Sequence, residues 1–562
     1  MNKPSKKTEP IFIGGAIGNC VHVAGVYEFL RIASELGFKT EFLGAAVDPV
    51  DFVSEIKKRK ANVVCISYRL TPDALHSILD RFFHEIEKNN LNELQFMFGG
   101  TPGAIEIAKK YKQFQFFFAG DENIKEIVSI IDKFTPENKK VLPKSGLENK
   151  NFSTTKQKAI PISHDRNFYT PLIRHHFGLP SLDETIKGIE KIADSKLVDV
   201  ISIATDQNAQ EFFFEPEKMD HSLDGTGGVP VRTEEDMIAL WKAAQRGNFP
   251  RLRVYSGTKN LLKWAEMSVR TIDNAWGTIP LFWYSRLDGR SKRPLAEAIE
   301  ENKKVIKWYA DRDIPVEIND SHHWSLRESS DVTAVVDFYI SALNAKKLGV
   351  KKYIAQLMFN TPRLTSASMD LAKMFAKIEL IKELEDENFK FLKQVRAGLT
   401  HFSLNMNVAK GQLAASTMLA IALKPEIIHV VSFTEADHAA KPEDVIESCE
   451  IVKGVLRNVW SDLPDMSLDP KIQSRKKYLI EEAKKMIEFL ENEFSKDYID
   501  PLTNSECLAK MVNRGFIDAP QLKGNPEALG KARTMPINGG YDNVDENNKP
   551  INITEFFNRY LK

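Results

Sequence analysis

The sequence predicts an α/β protein made of two units with parallel sheets, and three observations predict it. From Ile11 to about Phe134, short apolar runs alternate regularly with stretches of helical period. That is the order of a doubly wound, flavodoxin-like (Rossmann-like) sheet. From Leu197 to Phe433 the alternation resumes on a longer repeat, with seven strand candidates, which suggests a (β/α)8 TIM-like barrel with one strand hidden. Between the two, Thr135 to Ser163 is rich in Lys, Asn, Ser, Thr and Pro and follows neither period, so it reads as a linker.

Taken in order, the first unit has strands at Ile11 to Gly14, Thr40 to Leu43, Asn62 to Ser67, Leu94 to Phe98 and Phe114 to Phe118. The helices between and after them are expected at Val26 to Leu36, Val50 to Lys58, Asp73 to Asn89, Pro102 to Tyr111 and Ile124 to Phe134. The barrel strands are expected at Leu197 to Ala204, Leu252 to Tyr255, Ile279 to Trp283, Val316 to Ile318, Tyr353 to Met358, Phe389 to Val395 and Ile427 to Phe433. A helix from about Arg475 to Phe494 opens a tail rich in Gly, Pro and Asn. The division is therefore 1–134, a linker 135–163, a barrel 164–474, and an appendix 475–562 that folds against the barrel.

Composition limits what these units do. Of 562 residues, 43% are hydrophobic and 27% charged, the balance of a globular protein of more than one domain. Lys plus Arg, 77, equals Asp plus Glu, 77, so no global field draws in nucleic acid or an acidic membrane. Cys20, Cys65, Cys449 and Cys507 form no CxxC pair, which suggests neither a disulfide framework nor a thiolate zinc site. The N-terminus is polar and lacks an export signal, so the expected location is the cytoplasm, with no membrane partner.

Three loops of the first unit stand out, all on one edge of the expected sheet. "CVHVAG" after the first strand carries Cys20, His22 and Gly25; "ISYRLTP" after the third carries Ser67; "MFGGTP" after the fourth carries Gly99 and Gly100. An imidazole is suited to a metal, and glycines let backbone approach a ligand without a Cβ clash. In order and position these residues resemble the cobalamin-binding domains of B12-dependent mutases and methionine synthases, whose pattern is Asp-x-His-x-x-Gly, Ser-x-Leu and Gly-Gly. The resemblance implies His22 as the lower axial ligand of cobalt, with the nucleotide tail of cobalamin buried beside the sheet. Two positions depart from the pattern: Cys20 replaces the aspartate that hydrogen-bonds the histidine, and Arg69 replaces the leucine. A thiol is a weaker acceptor than a carboxylate, so the histidine is tuned more weakly or by another group such as Asn19.

The second unit is similar to the catalytic epsilon subunit of glutamate mutase (methylaspartate mutase). The similarity lies in "DGTGGVPVRTEEDMIALW" after the first expected strand, "WYADRDIPVEIND" into the fourth, "VVSFTEADHAAKPED" at the last, and the tail "GFIDAPQLKGNPEALGKARTMP". It implies an adenosylcobalamin-dependent carbon-skeleton mutase, pairing as a homodimer through its barrel. The family's glycine-rich cofactor loop falls on Gly225 to Gly228, with Gly227 and Gly228 as the double glycine, and its ribose-contacting glutamate falls on Glu435. The family's preceding lysine has no counterpart at Ser432 and Phe433. Two substrate arginines are also missing, one at Thr226 and one in "YSGTKN", which argues for a small acid other than glutamate.

Polar residues at expected strand ends supply other candidates: Asp206, Gln207, Tyr284, Arg286, Asp288, Arg290, Glu317, Asn319, His322 and His323. Arg286 or Arg290 suits a carboxylate or phosphate, and Glu317 or His322 suits acid–base work, because barrel active sites lie on that face. A zinc site from His322, His323, Glu317 and Asp320 is the less favoured reading, since adjacent histidines usually point apart. Two alternatives to the mutase stay open: a methylcobalamin-dependent methyltransferase, and a corrinoid-binding carrier.

Overall fold

The computed structural model describes residues 10–122, 124–134, 171–459 and 463–560. The expected linker at 135–163 and the polar N-terminus before residue 10 lie outside the described residues. The described residues divide into two compact units, one built on residues 10–134 with the short segments 403–405 and 436–438, the other on the rest of them.

In the first unit, β1 (Ile11–Ala16), α1 (Ala24–Glu35), β2 (Lys39–Phe42), α2 (Pro49–Arg59) and β3 (Val63–Tyr68) lead to α3 (Leu75–Lys88). It is completed by β4 (Gln95–Gly100), α4 (Pro102–Ala108), β5 (Phe114–Phe118) and α5 (Ile124–Asp132). The strands are parallel in the order β2-β1-β3-β4-β5, the flavodoxin-like arrangement expected. β1 and β3 are buried on both faces, as continuous apolar strands flanked by helices must be. Helix starts are fixed locally: Asp48 accepts from Val50 N at 2.9 Å ahead of Pro49, and Thr101 accepts from Ala104 N at 3.4 Å ahead of Pro102. Strand order reverses between β1 and β3, so the loops leaving them open on the crevice where such sheets take ligands.

The second unit is an eight-stranded parallel barrel. Its strands are β6 (Leu172–Phe177), β7 (Val200–Ile203), β8 (Arg251–Val254), β9 (Gly277–Thr278), β10 (Val316–Glu317), β11 (Lys352–Met358), β12 (Lys390–Arg396) and β13 (Ile427–Val430). The order is β8-β7-β6-β13-β12-β11-β10-β9, and Ala275 N donates to Leu252 O at 2.9 Å, which draws the two edge strands together. The outer helices are α6 (Leu182–Ser195), α7 (Gln207–Phe212), α8 (Glu234–Ala244), α9 (Leu261–Ile272), α10 (Leu295–Ala310) and α11 (Ser321–Leu326). They continue with α12 (Asp331–Lys347), α13 (Ala367–Lys382), α14 (Met406–Ile421) and α15 (Pro442–Asn458).

The hidden strand is the first one, β6, with the sequence "LIRHHF". Its apolar residues Ile173 and Phe177 face the helices, where Phe177 packs on Gly188 of α6, while Arg174 and His176 face the barrel interior. An interior lined by charged and polar groups removes the apolar signature by which strands are recognised. The ordinal positions therefore shift. "DGTGG" follows the second strand rather than the first, "YSGTKN" the third, and "WYADRDIPVEIND" leads into the fifth. The strand expected at Ile279 to Trp283 is Gly277–Thr278 instead; Pro280 lacks an N–H for a ladder, and the N–H groups of Leu281 and Phe282 are taken by Asp320.

The C-terminal helix α16 (Pro470–Phe494) begins five residues before Arg475, because Asp469 caps it by accepting from Lys471 N at 2.8 Å and Ile472 N at 3.2 Å. It packs on α12 and α13. Buried Asp331 ties the tail to the barrel, accepting from Arg475 at 2.8 Å, Lys373 at 3.1 Å and Tyr541 N at 3.0 Å. Among the described residues, no helix is long and apolar enough to cross a membrane.

Candidate functional site

In the first unit the three loops meet at one cavity. Ser67, at the end of β3, donates its hydroxyl to His22 O at 3.0 Å and so fixes the loop that carries the histidine. Cys20 is fully buried; its sulfur lies 3.7 Å from His22 Nδ1 and accepts from Arg69 N at 3.2 Å. For Nε2 of His22 to present a lone pair, Nδ1 must carry the proton and aim it at that sulfur, a weaker acceptor than a carboxylate.

The cavity is open to solvent and lies between α1 and the C-terminal ends of β3, β4 and β5. Gly25, Ser67, Arg69, Gly99 and Gly100 line it, together with Phe118 and Gly120 beyond β5. The two adjacent glycines do different work. A Cβ on Gly99 would find nothing nearer than Phe118 at 3.8 Å and would project into open space. A Cβ on Gly100 would lie 2.5 Å from Tyr68 O, so the sheet itself requires that glycine. Gly25 likewise borders open space, with nothing within 4 Å of its added Cβ. The cradle is therefore bare of side chains at Gly25 and Gly99, and its charged lining is one cation, Arg69, with three carboxylates, Glu28, Glu122 and Asp437.

The barrel carries a second, independent group of polar side chains arranged in two layers. The lower layer is a fully buried ion network: Arg174 donates to Ser202 Oγ at 2.7 Å, Gln394 Oε1 at 2.7 Å and Glu317 Oε2 at 3.2 Å. Arg253 lies 3.7 Å from the same carboxylate and donates to Ser202 at 3.1 Å and to Thr278. Trp276 Nε1 adds a donor to Glu317 at 2.8 Å. Burial opposes charge on Glu317, but Arg174 and Arg253 outweigh it and hold the carboxyl below its usual range. Burial and the neighbouring Arg253 lower Arg174 to about 10, so it stays charged at neutral pH.

Above this floor stand His176, Tyr255, Arg396 and His429, with His322 joined through Gln356. Gln356 Nε2 donates to His322 Nδ1 at 3.3 Å, and Gln394 donates to Gln356 Oε1 at 2.9 Å, so the network runs from His322 to Arg174. Burial, then neighbouring positive charge, holds His176, His322, His323 and His429 well below the imidazole range, which leaves them neutral.

The expected barrel residues fall in different places. Glu317, at the end of β10 as expected, is fully buried in the interior, locked between two arginines, rather than open to a substrate. His322 faces the network. Glu435 is exposed and lies within electrostatic reach of Arg396. Arg286 stands apart: its side chain is 51% exposed, donates to Lys292 O at 2.9 Å and lies 3.7 Å from Glu527. Arg290, over the ring of Tyr284 at 5.0 Å, is one of three arginines, with Arg396 and Arg327, whose fields reach the histidine pair. Gly228 is required by packing, since its Cβ would lie 2.1 Å from Ala204 O, whereas Gly227, at φ +85°, faces open space. Their loop is organised by buried Asp206, which accepts from Arg232 at 2.5 Å and from Gly225 N at 3.0 Å.

Among the described residues, no three His, Cys, Asp or Glu side chains are gathered as a metal site, so the zinc reading finds no cluster. Asp320, one of its proposed ligands, instead holds the N–H groups of Leu281 and Phe282. Burial pushes its carboxyl up to about 7, with the charge of Asp288 adding to the rise. Between the unfolded value of 3.8 and about 7 the folded state binds the additional proton, so this group's contribution to stability falls as pH rises through that window. Asp320→Asn is expected to make the dependence shallower, measured by urea denaturation at several pH values inside the window; an unchanged slope would assign it to other groups.

Residues missed in the sequence are Arg174, His176, Arg253, Tyr255, Arg396 and His429. A signal existed for some of them: Arg251 and Arg253 alternate along "RLRV", as Arg174 and His176 do along "LIRHHF". Alternation of charge with apolar residues marks a strand with one polar face.

No protein-family model matches the chain, and no curated protein matches it. Among solved structures, it is similar to phospho-2-dehydro-3-deoxyheptonate aldolase (DAHP synthase) of Thermotoga maritima, at 13% identity over 52% of this chain and 70% of that one, with a TM-score of 0.32. It is also similar to the cobalamin-dependent S-adenosylmethionine radical enzyme OxsB, solved with aqua-cobalamin and S-adenosylmethionine bound, at 10% identity and a TM-score of 0.20. That match covers 86% of this chain, which spans 61% of the length of OxsB. The apo form of OxsB matches at 10% identity, 87% and 61% coverage, and a TM-score of 0.20. At these scores the likenesses carry no argument about function.

Proposed function

We propose that the chain is a cobalamin-dependent enzyme, with the cofactor in the first unit and a small acidic substrate in the barrel, and that its reaction is an adenosylcobalamin-dependent carbon-skeleton rearrangement. The observation that supports the cofactor half is the cavity at the C-terminal edge of the sheet, with bare walls at Gly25 and Gly99 and with its lining residue Ser67 holding the backbone of His22. When bound, adenosylcobalamin supplies radical chemistry by homolysis of its cobalt–carbon bond.

The chain's own residues bind and orient. His22 would supply a nitrogen to the cobalt, with its backbone held by Ser67 and its Nδ1 facing Cys20. Gly25 and Gly99 would leave room for the tail, and Arg69 is the cation in the lining that would be available to its phosphodiester. In the barrel, Arg396 offers a positive charge at the mouth that the absent arginines at Thr226 and in "YSGTKN" do not. That supports binding of an acid in the barrel, while the mutase itself is favoured by the resemblance of the tail and last strand.

The test is the ultraviolet-visible spectrum of the protein after mixing with adenosylcobalamin or methylcobalamin and gel filtration, alongside His22→Ala. Co-elution of adenosylcobalamin with a histidine-ligated spectrum, turned base-off by His22→Ala, is the expected result. Retention of neither cobalamin overturns the cofactor assignment. Retention of methylcobalamin alone replaces the mutase by the methyltransferase.

A further inference from the structure

The barrel interior has a surplus of positive charge, and one oxygen is placed to answer it. Arg174 and Arg253, both fully buried, share a single carboxylate, Glu317. Arg396 of β12 adds a third cation; it donates Nε–H to Ala397 O at 3.3 Å and has Glu435 within electrostatic reach. The imidazoles around them are neutral. Directly after β8, half-buried at the C-terminal end of the barrel, stands Tyr255. Its hydroxyl lies 3.2 Å from Arg174 Nη2 and 3.1 Å from His176 Nε2. Its ring stacks on His176 at 5.2 Å and 11°, and carries the Arg253 guanidinium 4.2 Å from its centroid.

The proton positions follow. Arg174 Nη2 also lies 3.4 Å from His176 Nε2, and an arginine only donates, so Nε2 carries a lone pair. The Tyr255 hydroxyl, when protonated, therefore accepts from Arg174 and donates to His176. A phenol held between an arginine and an imidazole lone pair is a group built to gain and lose a proton.

We infer that Tyr255 is a catalytic proton acceptor at the barrel mouth, serving a small substrate that bears a hydroxyl or ammonium group for Tyr255 and a carboxylate or phosphate for Arg396. In the step, the phenolate oxygen forms an O–H bond while the substrate's O–H or N–H bond breaks. The bonding pair stays on the substrate's oxygen or nitrogen, and one negative charge passes from tyrosine to substrate. The new phenol proton is then donated toward His176 Nε2. No oxidant or further reactant is needed, and the step does not depend on cobalamin.

Burial opposes ionisation of Tyr255, but Arg174 and Arg253 outweigh it, and Arg396 adds to them against Glu317, so the phenol lies below its usual range. The groups that face it are Arg174 and His176 of β6, Arg253 of β8, Glu317 of β10, Arg396 of β12, His429 of β13 and Tyr284 beyond β9. Tyr68, Tyr111, Tyr284, Tyr309, Tyr353 and Tyr541 all move upward, so Tyr255 titrates apart from them.

The experiment is a tyrosinate absorbance titration of the cobalamin-free full chain, with Tyr255→Phe and Arg396→Gln, with and without lactate or inorganic phosphate as probes. The wild type is expected to show an early tyrosine step, at lower pH than the buried tyrosines, that Tyr255→Phe lacks. A bound probe anion is expected to push that step to higher pH in the wild type and not in Arg396→Gln; lactate acting alone identifies a carboxylate site and phosphate acting alone a phosphate site. Superimposable curves for wild type and Tyr255→Phe overturn the assignment of Tyr255, and a step that neither probe moves overturns that of Arg396. Either failure leaves the cobalamin spectrum of the wild type unaffected, so it is distinct from failure of the cofactor reading.

Discussion

Glu317→Leu is expected to destabilise the barrel by about 3–5 kcal/mol, read from urea or thermal unfolding beside the wild type. The leucine roughly preserves volume but leaves Arg174 and Arg253 charged in a fully buried interior with no carboxylate to answer them. It also strands the indole N–H of Trp276. Glu317→Gln keeps an acceptor for Trp276 and isolates the loss of charge, so it is expected to fall between the two. The strand-end position of Glu317 suggested acid–base work from the sequence; its encasement makes it the counter-ion that allows two arginines to stand inside a barrel. A loss under about 1 kcal/mol for Glu317→Leu would mean that the arginines find another counter-charge, and the ion network would lose its structural role.

The second large effect separates Gly99 from its neighbour Gly100. Gly99→Leu is expected to leave folding unchanged and to weaken cobalamin retention by about 100-fold or more, because its side chain enters the cavity that the tail would occupy. Gly100→Ala is expected to do the reverse, costing about 1–3 kcal/mol by driving a methyl against Tyr68 O. Gel filtration with cobalamin and thermal denaturation, run on both variants, give the comparison. Wild-type retention by Gly99→Leu would place the cofactor elsewhere than this cavity.

The two units differ in how far they are legible. In the first, both faces of the sheet are covered by helices, so strands read as apolar runs, helices as periodic ones, and every element appears within a few residues of its expected place. His22, Ser67 and Gly99 are legible too, since loop position follows from element order. The barrel is legible on its outside, where Ile173 and Phe177 obey the rule of apolar burial, and illegible on its inside, where Arg174, Arg253 and Glu317 break it.

The sequence by itself determined the class of fold, the edge of the first sheet where its three unusual loops gather, and the alternation that closes a barrel, because all of these depend on local period and chain order. Only the tertiary structure decided that β6 is a strand, that Glu317 is a buried counter-ion, that Arg286 stands apart from the site, and that Arg174, Arg253, Arg396 and Tyr255 converge. Those pairings join residues from strands far apart in the chain, such as Arg174 with Gln394 and Glu317. The attraction that keeps such charges inside exists only once the barrel brings them together and removes the water between them.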